Sequence, residues 1–291
     1  MAYTQNPHIS KVRMEAVRLV KYRGLSMRKV ALKYGVLPST ISRWCQRGTG
    51  WNRIETLSSR PHTSPTALPE EIISAIIKKR IGRRRCGQVI HQELLRDGVS
   101  VSLPSVQRTL GRLNLLKKRS PWKRPHDRTE RPSPEYPGAL LQADTVHIFL
   151  PDGKKIYVYT LIDLYSRWAY AETALRIGSE ASARFLKRAK KKASFKFEMI
   201  QTDHGSEFST WFSHALLRGD TRHRHSRVRK PNDNAHIERF NRTIQEECLD
   251  RTAHTLEDFR AALPAYLKYY NTERLHMGLN FQTPMEVLRR S

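Results

Sequence analysis

The sequence is poor in cysteine and in acidic residues, and it contains no long apolar run. Its three cysteines, Cys45, Cys86 and Cys248, lie far apart and form no Cys-x-x-Cys pair, so neither a disulfide framework nor a zinc knuckle is expected. No stretch approaches the roughly 18 consecutive apolar residues of a transmembrane helix. The first ten residues also lack the apolar core of a secretion signal. We therefore expect a cytoplasmic protein that makes no contact with a membrane.

Positive charge dominates the composition. The chain of 291 residues has 53 Lys and Arg against 27 Asp and Glu, which gives a formal net charge of +26. An excess of this size attracts phosphate backbones through the release of counterions. An anionic membrane would attract the same charge, so composition names a class of partner, and nucleic acid is the first expectation. The phosphate-binding pattern G-x-x-x-x-G-K-[ST] is absent, so ATP is not expected.

Two proline-rich segments, residues 48–66 and 120–138, are predicted to be linkers, because proline removes a backbone donor and restricts the residue before it. They separate three predicted domains, residues 1–47, 67–119 and 139–291. Helical spacing of apolar residues predicts three helices in each of the first two domains. The string Leu37-Pro-Ser-Thr40 returns as Leu103-Pro-Ser-Val106, which suggests two tandem helix-turn-helix units.

The third helix of each unit carries candidate contacts to DNA. In the first unit Ile41 and Trp44 would face the core, which leaves Ser39, Thr40 and Arg43 outward, where they could read a major groove. In the second unit Arg108 follows the start of the corresponding helix. The alternative for both is a small helical bundle with some other purpose, and the basic composition favours DNA binding.

The third domain changes to a strand-like period. Two strands are predicted at 140–150 and 155–164, joined by a turn at Pro151-Asp-Gly153, with further strands at 167–173 and 197–201. Helices are predicted at 179–192, 206–217, 232–248 and 256–270. Strands followed by alternating helices predict a mixed α/β sheet.

Three acids in this domain form a candidate metal site. Asp144 lies inside the first strand, Asp203 ends the fourth, and Glu238 lies on a later helix. Each has an ordinary structural interpretation when it is taken alone. Together they could converge, and three carboxylates with open coordination positions suit Mg²⁺ or Mn²⁺. Two such ions can activate an attacking oxygen and stabilise a leaving one in an in-line displacement.

Five strings of the third domain carry a family resemblance: Gln142-Ala-Asp-Thr-Val-His147, Thr202-Asp-His-Gly-Ser-Glu-Phe208, Pro231-Asn-Asp-Asn-Ala-His-Ile-Glu-Arg-Phe-Asn-Arg-Thr243, Tyr270-Asn-Thr-Glu-Arg-Leu-His276 and Gln282-Thr-Pro-Met-Glu286. Through these strings the sequence resembles the retroviral-integrase-like DDE transposases of bacterial insertion sequences. The resemblance implies an RNase H-like core, a mixed five-stranded sheet with flanking helices. It implies that Asp144, Asp203 and Glu238 are catalytic and hold two Mg²⁺ or Mn²⁺ ions. It also implies double-stranded DNA partners, namely terminal inverted repeats and target DNA, a homo-oligomer on that DNA, and association with the nucleoid.

The sequence departs from the family pattern in two ways. Asp203 and Glu238 have 34 residues between them, where 35 are common in the family. His204 and Ala235 replace the usual Asn and Gly. An imidazole beside the metals is expected to weaken activity.

A basic segment, residues 222–230, directly precedes the predicted helix that carries Glu238. It is expected either to be a solvated loop or, because it adjoins the candidate metal site, to contact a DNA end through Arg227, Arg229 and Lys230. On the helix itself, apolar residues at spacings of three and four predict a buried stripe. Asn241 and Arg242 share the adjoining face with Glu238, so they too are candidate DNA contacts.

Two other functions remain open. A tyrosine recombinase would use His236-Ile-Glu-Arg239 with Tyr269 or Tyr270 as nucleophile, but it leaves Asp144 and Asp203 unexplained. A catalytically inactive or domesticated regulator would keep the same fold and bind DNA without cutting it, and His204 is the residue that favours this alternative.

Overall fold

The computed structural model describes residues 7–57, 67–116, 132–150, 153–227, 231–253 and 255–291. The chain divides into two compact units, Met1–Ala67 and Leu68–Ser291, which are described separately. Most of the predicted turn at 151–153, and the candidate DNA contacts Arg229 and Lys230, lie outside the described residues.

The first unit contains the three predicted helices, α1 (Pro7–Lys21), α2 (Met27–Tyr34) and α3 (Pro38–Arg47). The Ser26 hydroxyl caps α2 by accepting a bond from the Lys29 amide, and Gly35 ends it with a φ of +62°. The helices enclose a small core of Ala16, Val30, Ala31 and Ile41.

The second unit begins with three more helices, α4 (Glu70–Arg83), α5 (Gly87–Arg96) and α6 (Leu103–Arg112). They have their own core, formed by Ile76, Ile90, Leu94, Val101, Val106 and Leu110. Arginines attach this group to the rest of the unit. Arg96 Nη1 lies 2.9 Å from Glu286 Oε1, and the nearly buried Arg85 donates a 2.5 Å bond to the carbonyl of Leu275.

The remainder of the second unit is built on a sheet with the order β3-β2-β1-β4-β5. Its strands are β1 (Leu141–Phe149), β2 (Lys155–Asp163), β3 (Ala169–Ala174), β4 (Met199–Thr202) and β5 (Arg222–His225). β1, β2 and β3 pair antiparallel, whereas β1–β4 and β4–β5 pair parallel. The predicted mixed five-stranded sheet is confirmed.

A fifth strand corrects one of the two expectations for residues 222–230, that of a solvated loop, over residues 222–225. The first four residues of that segment, Arg-His-Arg-His, form β5 at one edge of the sheet. An edge strand needs no apolar face, so its polar sequence gave no strand pattern. At the other edge, the side-chain amide of Asn271 accepts from the Ala169 backbone N–H and donates to the Ala169 carbonyl, both at 2.9 Å.

Helices cover both faces of the sheet. They are α7 (Ser179–Lys192), α8 (Thr210–Leu217), α9 (Ala235–Glu247), α10 (Leu256–Thr272) and the short α11 (Pro284–Leu288). On one face Phe185 and Leu186 of α7 pack with Phe212 of α8, and on the other Phe240 of α9 packs with Phe259 of α10. The predicted helix at 206–217 is interrupted, because residues 206–208 form a 3₁₀ turn before α8. Among the described residues, no helix is long and apolar enough to cross a membrane.

Candidate catalytic site

Asp144 and Asp203 lie side by side at one end of the parallel strand pair. The register pairs Leu141 with Ile200 and Gln142 with Gln201. Asp144 is two residues beyond Gln142 on β1, and Asp203 is two residues beyond Gln201, directly after β4. The two aspartates therefore occupy equivalent positions on neighbouring strands that run in the same direction.

Asp144 is a half-buried carboxylate with defined hydrogen bonds. Its Oδ1 accepts from the Thr145 amide and its Oδ2 from Asn241 Nδ2, both at 2.7 Å. Burial raises the pKa of Asp144 to about 6, and the negative charges of Asp203 and Glu207 act in the same direction. The two hydrogen bonds oppose this rise but do not cancel it. Asp144 thus lies in a region of concentrated negative charge within a strongly basic protein.

Glu207 lies beside Asp203, and sequence reasoning did not single it out. Gly205 separates the two carboxylates, and its amide donates to Asp203 Oδ1 at 2.9 Å. A methyl group at Gly205 would lie 2.7 Å from Glu207 Oε2 and 3.0 Å from Asp203 Oδ1. Both carboxylates therefore approach the same small volume beside Gly205.

Glu238 does not join these acids in the structure. It lies in the first turn of α9 and its side chain is exposed. Over the described parts of the chain, no three His, Cys, Asp or Glu side chains are close enough together to hold a metal ion. Asn241, one turn beyond Glu238, makes the contact with Asp144 and also accepts a 2.7 Å bond from the Thr160 hydroxyl. This face of α9 points toward the strands, but the residue that reaches Asp144 is an amide.

Two buried glutamines hold the start of α9 against the strands. Gln142 and Gln201 are 0% and 1% exposed, and both donate to the carbonyl of Asp233, the latter at 2.8 Å. Gln142 Oε1 also accepts from the Ile237 amide at 3.0 Å, which satisfies a free donor in the first turn of the helix. The glutamines sit directly opposite each other in the β1–β4 ladder. The strands that carry the two aspartates therefore also fix the turn that carries Glu238.

Arg227 was a candidate DNA contact, but its guanidinium contacts Asp233. It bonds both Asp233 carboxylate oxygens, at 2.8 and 2.9 Å, while the Arg227 amide donates to the same group at 3.0 Å. The hydrogen bonds from Arg227 lower the pKa of Asp233 to about 2. This ion pair spans residues 228–230 and ties the end of β5 to the turn before α9.

His204 contacts the end of β5. Its Nε2 lies 3.1 Å from the carbonyl of Ser226, and its ring stacks on that of His225 at a centroid distance of 4.7 Å. His225 Nδ1 in turn donates a 2.8 Å bond to the carbonyl of Asp203. These contacts of His204 and His225 join the end of β4 to the end of β5. The histidine at position 204, where the family usually has asparagine, therefore has a structural role.

A basic cavity of about 390 Å³ lies between α9 and the turn after α4. Its lining includes Arg84, Arg85, Arg167, Arg239, Arg242 and Arg274. Glu247 accepts from Arg274 at 2.8 and 2.9 Å and lies 3.5 Å from Arg85, which also lies 3.5 Å from Glu93, so two carboxylates face these two guanidinium charges. Arg242, a predicted DNA contact, is exposed at this cavity.

The remaining candidate contacts lie on α3 and α6. Ser39 and Arg43 are exposed as expected, but Thr40 is only 8% exposed, so its outward placement was wrong. Thr40 precedes the buried Ile41 by one residue and lies four residues before Trp44, so it falls within the inward stripe. Arg108 is exposed, and its guanidinium folds back onto the Pro104 carbonyl and the Ser105 hydroxyl of its own helix, both at 3.3 Å.

The geometry does not support a tyrosine recombinase. Tyr270 is 3% exposed and packs against Phe240 at a ring distance of 5.0 Å, and burial raises its pKa to about 12. Tyr269 lies under the guanidinium of Arg83, 3.7 Å from its ring centroid, and burial raises its pKa also. A nucleophile must reach the phosphate and lose its proton readily, which neither hydroxyl can do in this position.

Comparison with known proteins assigns the fold and an integrase core domain. Two models, both described as "Integrase core domain", match residues 134–231 and 220–284. A chain of the simian T-cell lymphotropic virus intasome, solved in complex with PP2A regulatory subunit B56 gamma, matches with a TM-score of 0.50 at 19% identity. The match covers 74% of each chain and supports the fold alone. The second unit therefore contains an integrase core.

Relatives in sequence come from mobile elements. The transposase of insertion sequence element IS904 from Lactococcus lactis is 25% identical over 247 residues, 77% of this chain and 96% of that protein. A 31.7 kDa protein of insertion element IS407 from Burkholderia multivorans is 29% identical, covering 72% and 76%. ORF3 of Spiroplasma virus SpV1-C74 is 30% identical, but this chain spans only 47% of its length. These relatives and the integrase-core models support an integrase-like transposase of insertion sequences.

Proposed function

We propose that this protein is a metal-dependent DNA transposase that cleaves and joins DNA strands at the ends of a mobile element. The observation that carries the proposal is the placement of Asp144 and Asp203 side by side on parallel strands of an integrase core. The family supports DNA transposition or integration in general. The acids, and the basic surface beside them, support the specific reaction.

The donor set fits Mg²⁺ or Mn²⁺. It offers carboxylate oxygens, the ligands that hard divalent cations prefer. Burial and neighbouring acids raise the pKa of Asp144, so a cation at this place would relieve an unfavourable concentration of negative charge. Asp144, Asp203 and Glu238 would hold two ions, with Glu238 drawn inward from its exposed position. When bound, the ions would activate the attacking oxygen and stabilise the leaving one.

The chain's own residues would orient the acids and the DNA. Asn241 fixes one oxygen of Asp144, and the Gly205 amide fixes one oxygen of Asp203. In-line displacement at phosphorus depends on positioning more than on covalent chemistry, so this rigidity would favour the reaction. Arg242 would bind phosphate beside α9.

The DNA partners follow from the same proposal. Ser39 and Arg43 on α3, together with Arg108 on α6, would contact the terminal inverted repeats, and Arg229 and Lys230 would lie near the cleaved end. A second copy of the chain would be needed to bring two element ends to one target DNA. These assignments rest on exposure and charge, and on the mobile-element origin of the relatives.

Strand transfer by Asp144→Asn tests the proposal. The substitution keeps the shape of the side chain and removes one charge. We expect cleavage and joining of terminal-repeat DNA with Mg²⁺ to slow at least about a thousandfold, roughly 4 kcal/mol in the activation barrier. In EDTA the variant should bind the same DNA as well as wild type or slightly better, because a repulsive charge is lost.

The matched control is Asp250→Asn, an exposed aspartate just beyond α9, which should leave the rate unchanged. Joining by Asp144→Asn near the wild-type rate would refute the catalytic assignment. Specific DNA binding by wild-type protein with no cleavage or joining in Mg²⁺ or Mn²⁺ would instead assign the chain to the inactive regulators.

A further inference from the structure

We propose that the basic cavity between α9 and the turn after α4 binds a backbone phosphate of DNA, and that Arg84, Arg239 and Arg242 hold this phosphate. Helices α4–α6 and the integrase core form the site together. That the phosphate belongs to DNA rests on the proposed function. The site is distinct from the candidate catalytic acids, because neither the two aspartates nor Glu238 is among the described residues that line the cavity.

The first argument is an excess of positive charge at the cavity. Six arginines and two glutamates line it. The most buried of these arginines have partners, since Arg85 and Arg274 both face Glu247. The other glutamate, Glu246, is exposed and forms no ion pair with a cation of the described residues. The two carboxylates therefore leave a surplus of positive charge on the walls of the cavity.

The surplus belongs to the three arginines at its mouth. Arg84, Arg239 and Arg242 have exposed side chains. Over the part of the chain that the structure describes, no carboxylate oxygen lies within the 4.0 Å of an ion pair from any of them. Guanidinium groups that meet at one concave surface attract phosphate, because their paired donors match its oxygens. The unpaired charge indicates an anionic ligand.

The second argument is that the turn carrying Arg84 is held by bonds that leave the Arg84 guanidinium unused. Arg80 Nη1 donates to the Arg85 carbonyl at 2.7 Å, directly after Arg84. On the other side, Arg251 Nη1 donates to the Gly82 carbonyl at 2.6 Å. The turn is thereby fixed before any ligand binds, and a preformed site loses less conformational freedom on binding.

Two arginines of the cavity also have an uncommon backbone conformation. Arg84, which ends α4, has a φ of +49°, and Arg167, between β2 and β3, has a φ of +62°. Residues other than glycine seldom adopt positive φ values. They persist where the surrounding structure fixes them, and they are concentrated at active sites and ligand clamps. Two such residues lining one cavity favour a binding role for it.

The third argument concerns the part of DNA that fits. The cavity has a volume of about 390 Å³. Its phenylalanine and tyrosine, Phe240 and Tyr270, are 1% and 3% exposed, so neither offers a ring face on which a base could stack. Guanidinium groups without an accessible ring suit the sugar-phosphate backbone, which is bound without regard to sequence. A phosphate held here would join helices α4–α6 to the helix that carries Glu238.

Binding of DNA in EDTA, where no cleavage occurs, tests the inference. We expect Arg84→Gln and Arg239→Gln each to weaken binding about 10-fold, the scale of a hydrogen bond to a charged group, on terminal-repeat and random DNA alike. The double variant should reduce the slope of log affinity against log salt by about 1. Arg260→Gln, an exposed arginine of α10, is the matched control and should leave binding unchanged.

Two further measurements separate a phosphate contact from a change in folding. Because both side chains are exposed, each variant should keep the wild-type Tm. Arg239→Lys keeps the charge, so it should keep the salt slope of wild type. A single neutral methylphosphonate is then moved along the DNA backbone. At one position it should weaken wild type about 10-fold, and there it should have no further effect on the double variant.

The outcomes distinguish the source of the phosphate. Methylphosphonate losses that add to those of the double variant at every position would show that the arginines contact no phosphate, and would overturn the site. A rise in Tm of wild type with millimolar inorganic phosphate, absent from the double variant and without a sensitive DNA position, would make the cavity a site for a small anion and overturn its assignment to DNA.

The same experiments separate this inference from the proposed function. Wild-type DNA affinity in Arg84→Gln and Arg239→Gln would overturn the phosphate site and leave the catalytic assignment of Asp144 intact. Joining by Asp144→Asn near the wild-type rate, with a sensitive phosphate found as expected, would refute the catalytic assignment and leave the phosphate site standing.

Discussion

The carboxylates of the candidate site are carried by two different kinds of scaffold. Asp144 stands on β1 and Asp203 directly after β4, in the middle of the sheet, each two residues beyond a paired position of neighbouring parallel strands. Glu238 stands on the first turn of α9, whose start is held by the side-chain bonds of Gln142 and Gln201 and by the Arg227–Asp233 pair, while Ile237 and Phe240 pack into the core. The strand-borne acids are positioned by the sheet itself, whereas the helix-borne acid depends on a few side-chain bonds. The geometry of the third acid is therefore the more adjustable one.

Among the variants that test this contrast between strand and helix, the largest effect is expected from breaking the bonds that hold the start of α9. Gln142→Met keeps the volume but leaves the Ile237 amide without an acceptor in a buried place. We expect strand transfer to fall about a hundredfold, the scale associated with a misplacement of about 1 Å. Binding of Mn²⁺ to the DNA-free protein should remain within about threefold of wild type, because Asp144 and Asp203 stay on their strands.

Gln201→Met, and the double variant with Gln142→Met, test the same expectation further. Both glutamines donate to the same Asp233 carbonyl, so their effects should be less than additive. Circular dichroism at the assay temperature should show folded protein in each case. Equal losses of Mn²⁺ affinity and activity would mean that the positions of Asp144 and Asp203 depend on the glutamines as well. The contrast between acids positioned by strands and an acid positioned by a helix would then not hold.

A second prediction concerns the stability of the protein and the ionisation of Asp144 on β1. Because burial raises the pKa of Asp144 to about 6, its ionisation disfavours the folded state. The penalty is complete above about pH 6 and disappears below about pH 4, near the unfolded value. Asp144→Asn should therefore raise the free energy of unfolding by up to about 3 kcal/mol at pH 8 in EDTA, and by little at pH 4.

Urea denaturation at the two pH values measures this difference, with Asp250→Asn as the exposed control. A gain of the same size at both pH values would show that shape or hydrogen bonding, and not charge, is responsible. Saturating Mn²⁺ should reverse the order at pH 8, since wild type binds the cation more tightly than the variant.

The smallest expected effect belongs to the Arg227–Asp233 pair, because Arg227 is largely exposed to solvent. If Arg227 acts by anchoring Asp233, then Arg227→Ala and Asp233→Asn should each slow strand transfer by a similar, few-fold factor. DNA binding in EDTA should then be unchanged in both. If Arg227 contacts DNA, only Arg227→Ala should weaken binding and reduce its salt dependence.

Features with a local sequence pattern were predictable, and those made by distant contacts were not. The helices of both three-helix groups and the first four strands follow from apolar spacing, and the sequence places Asp144 inside the first strand and Asp203 at the end of the fourth. β5 has no apolar pattern, and Thr40 shows how a polar residue can share a buried stripe. The placement of Gln142 opposite Gln201 depends on the register of the sheet, which no single segment encodes. The approach of Glu207 to Asp203 depends on the geometry of a tight turn. Glu207 could have been noticed as a second acid in Asp203-His-Gly-Ser-Glu207.

The two edges of the sheet are protected in different ways from pairing with a further strand. This limits how copies of the chain can associate. β5 is only four residues long and carries two arginines and two histidines, so a second β5 alongside it would meet like charge. At the opposite edge, Asn271 bonds the Ala169 backbone as a neighbouring strand would. Continuous sheets across protomers, and the aggregation that open edges invite, are thereby disfavoured. We expect any multimer on DNA to assemble through helices or through the DNA itself.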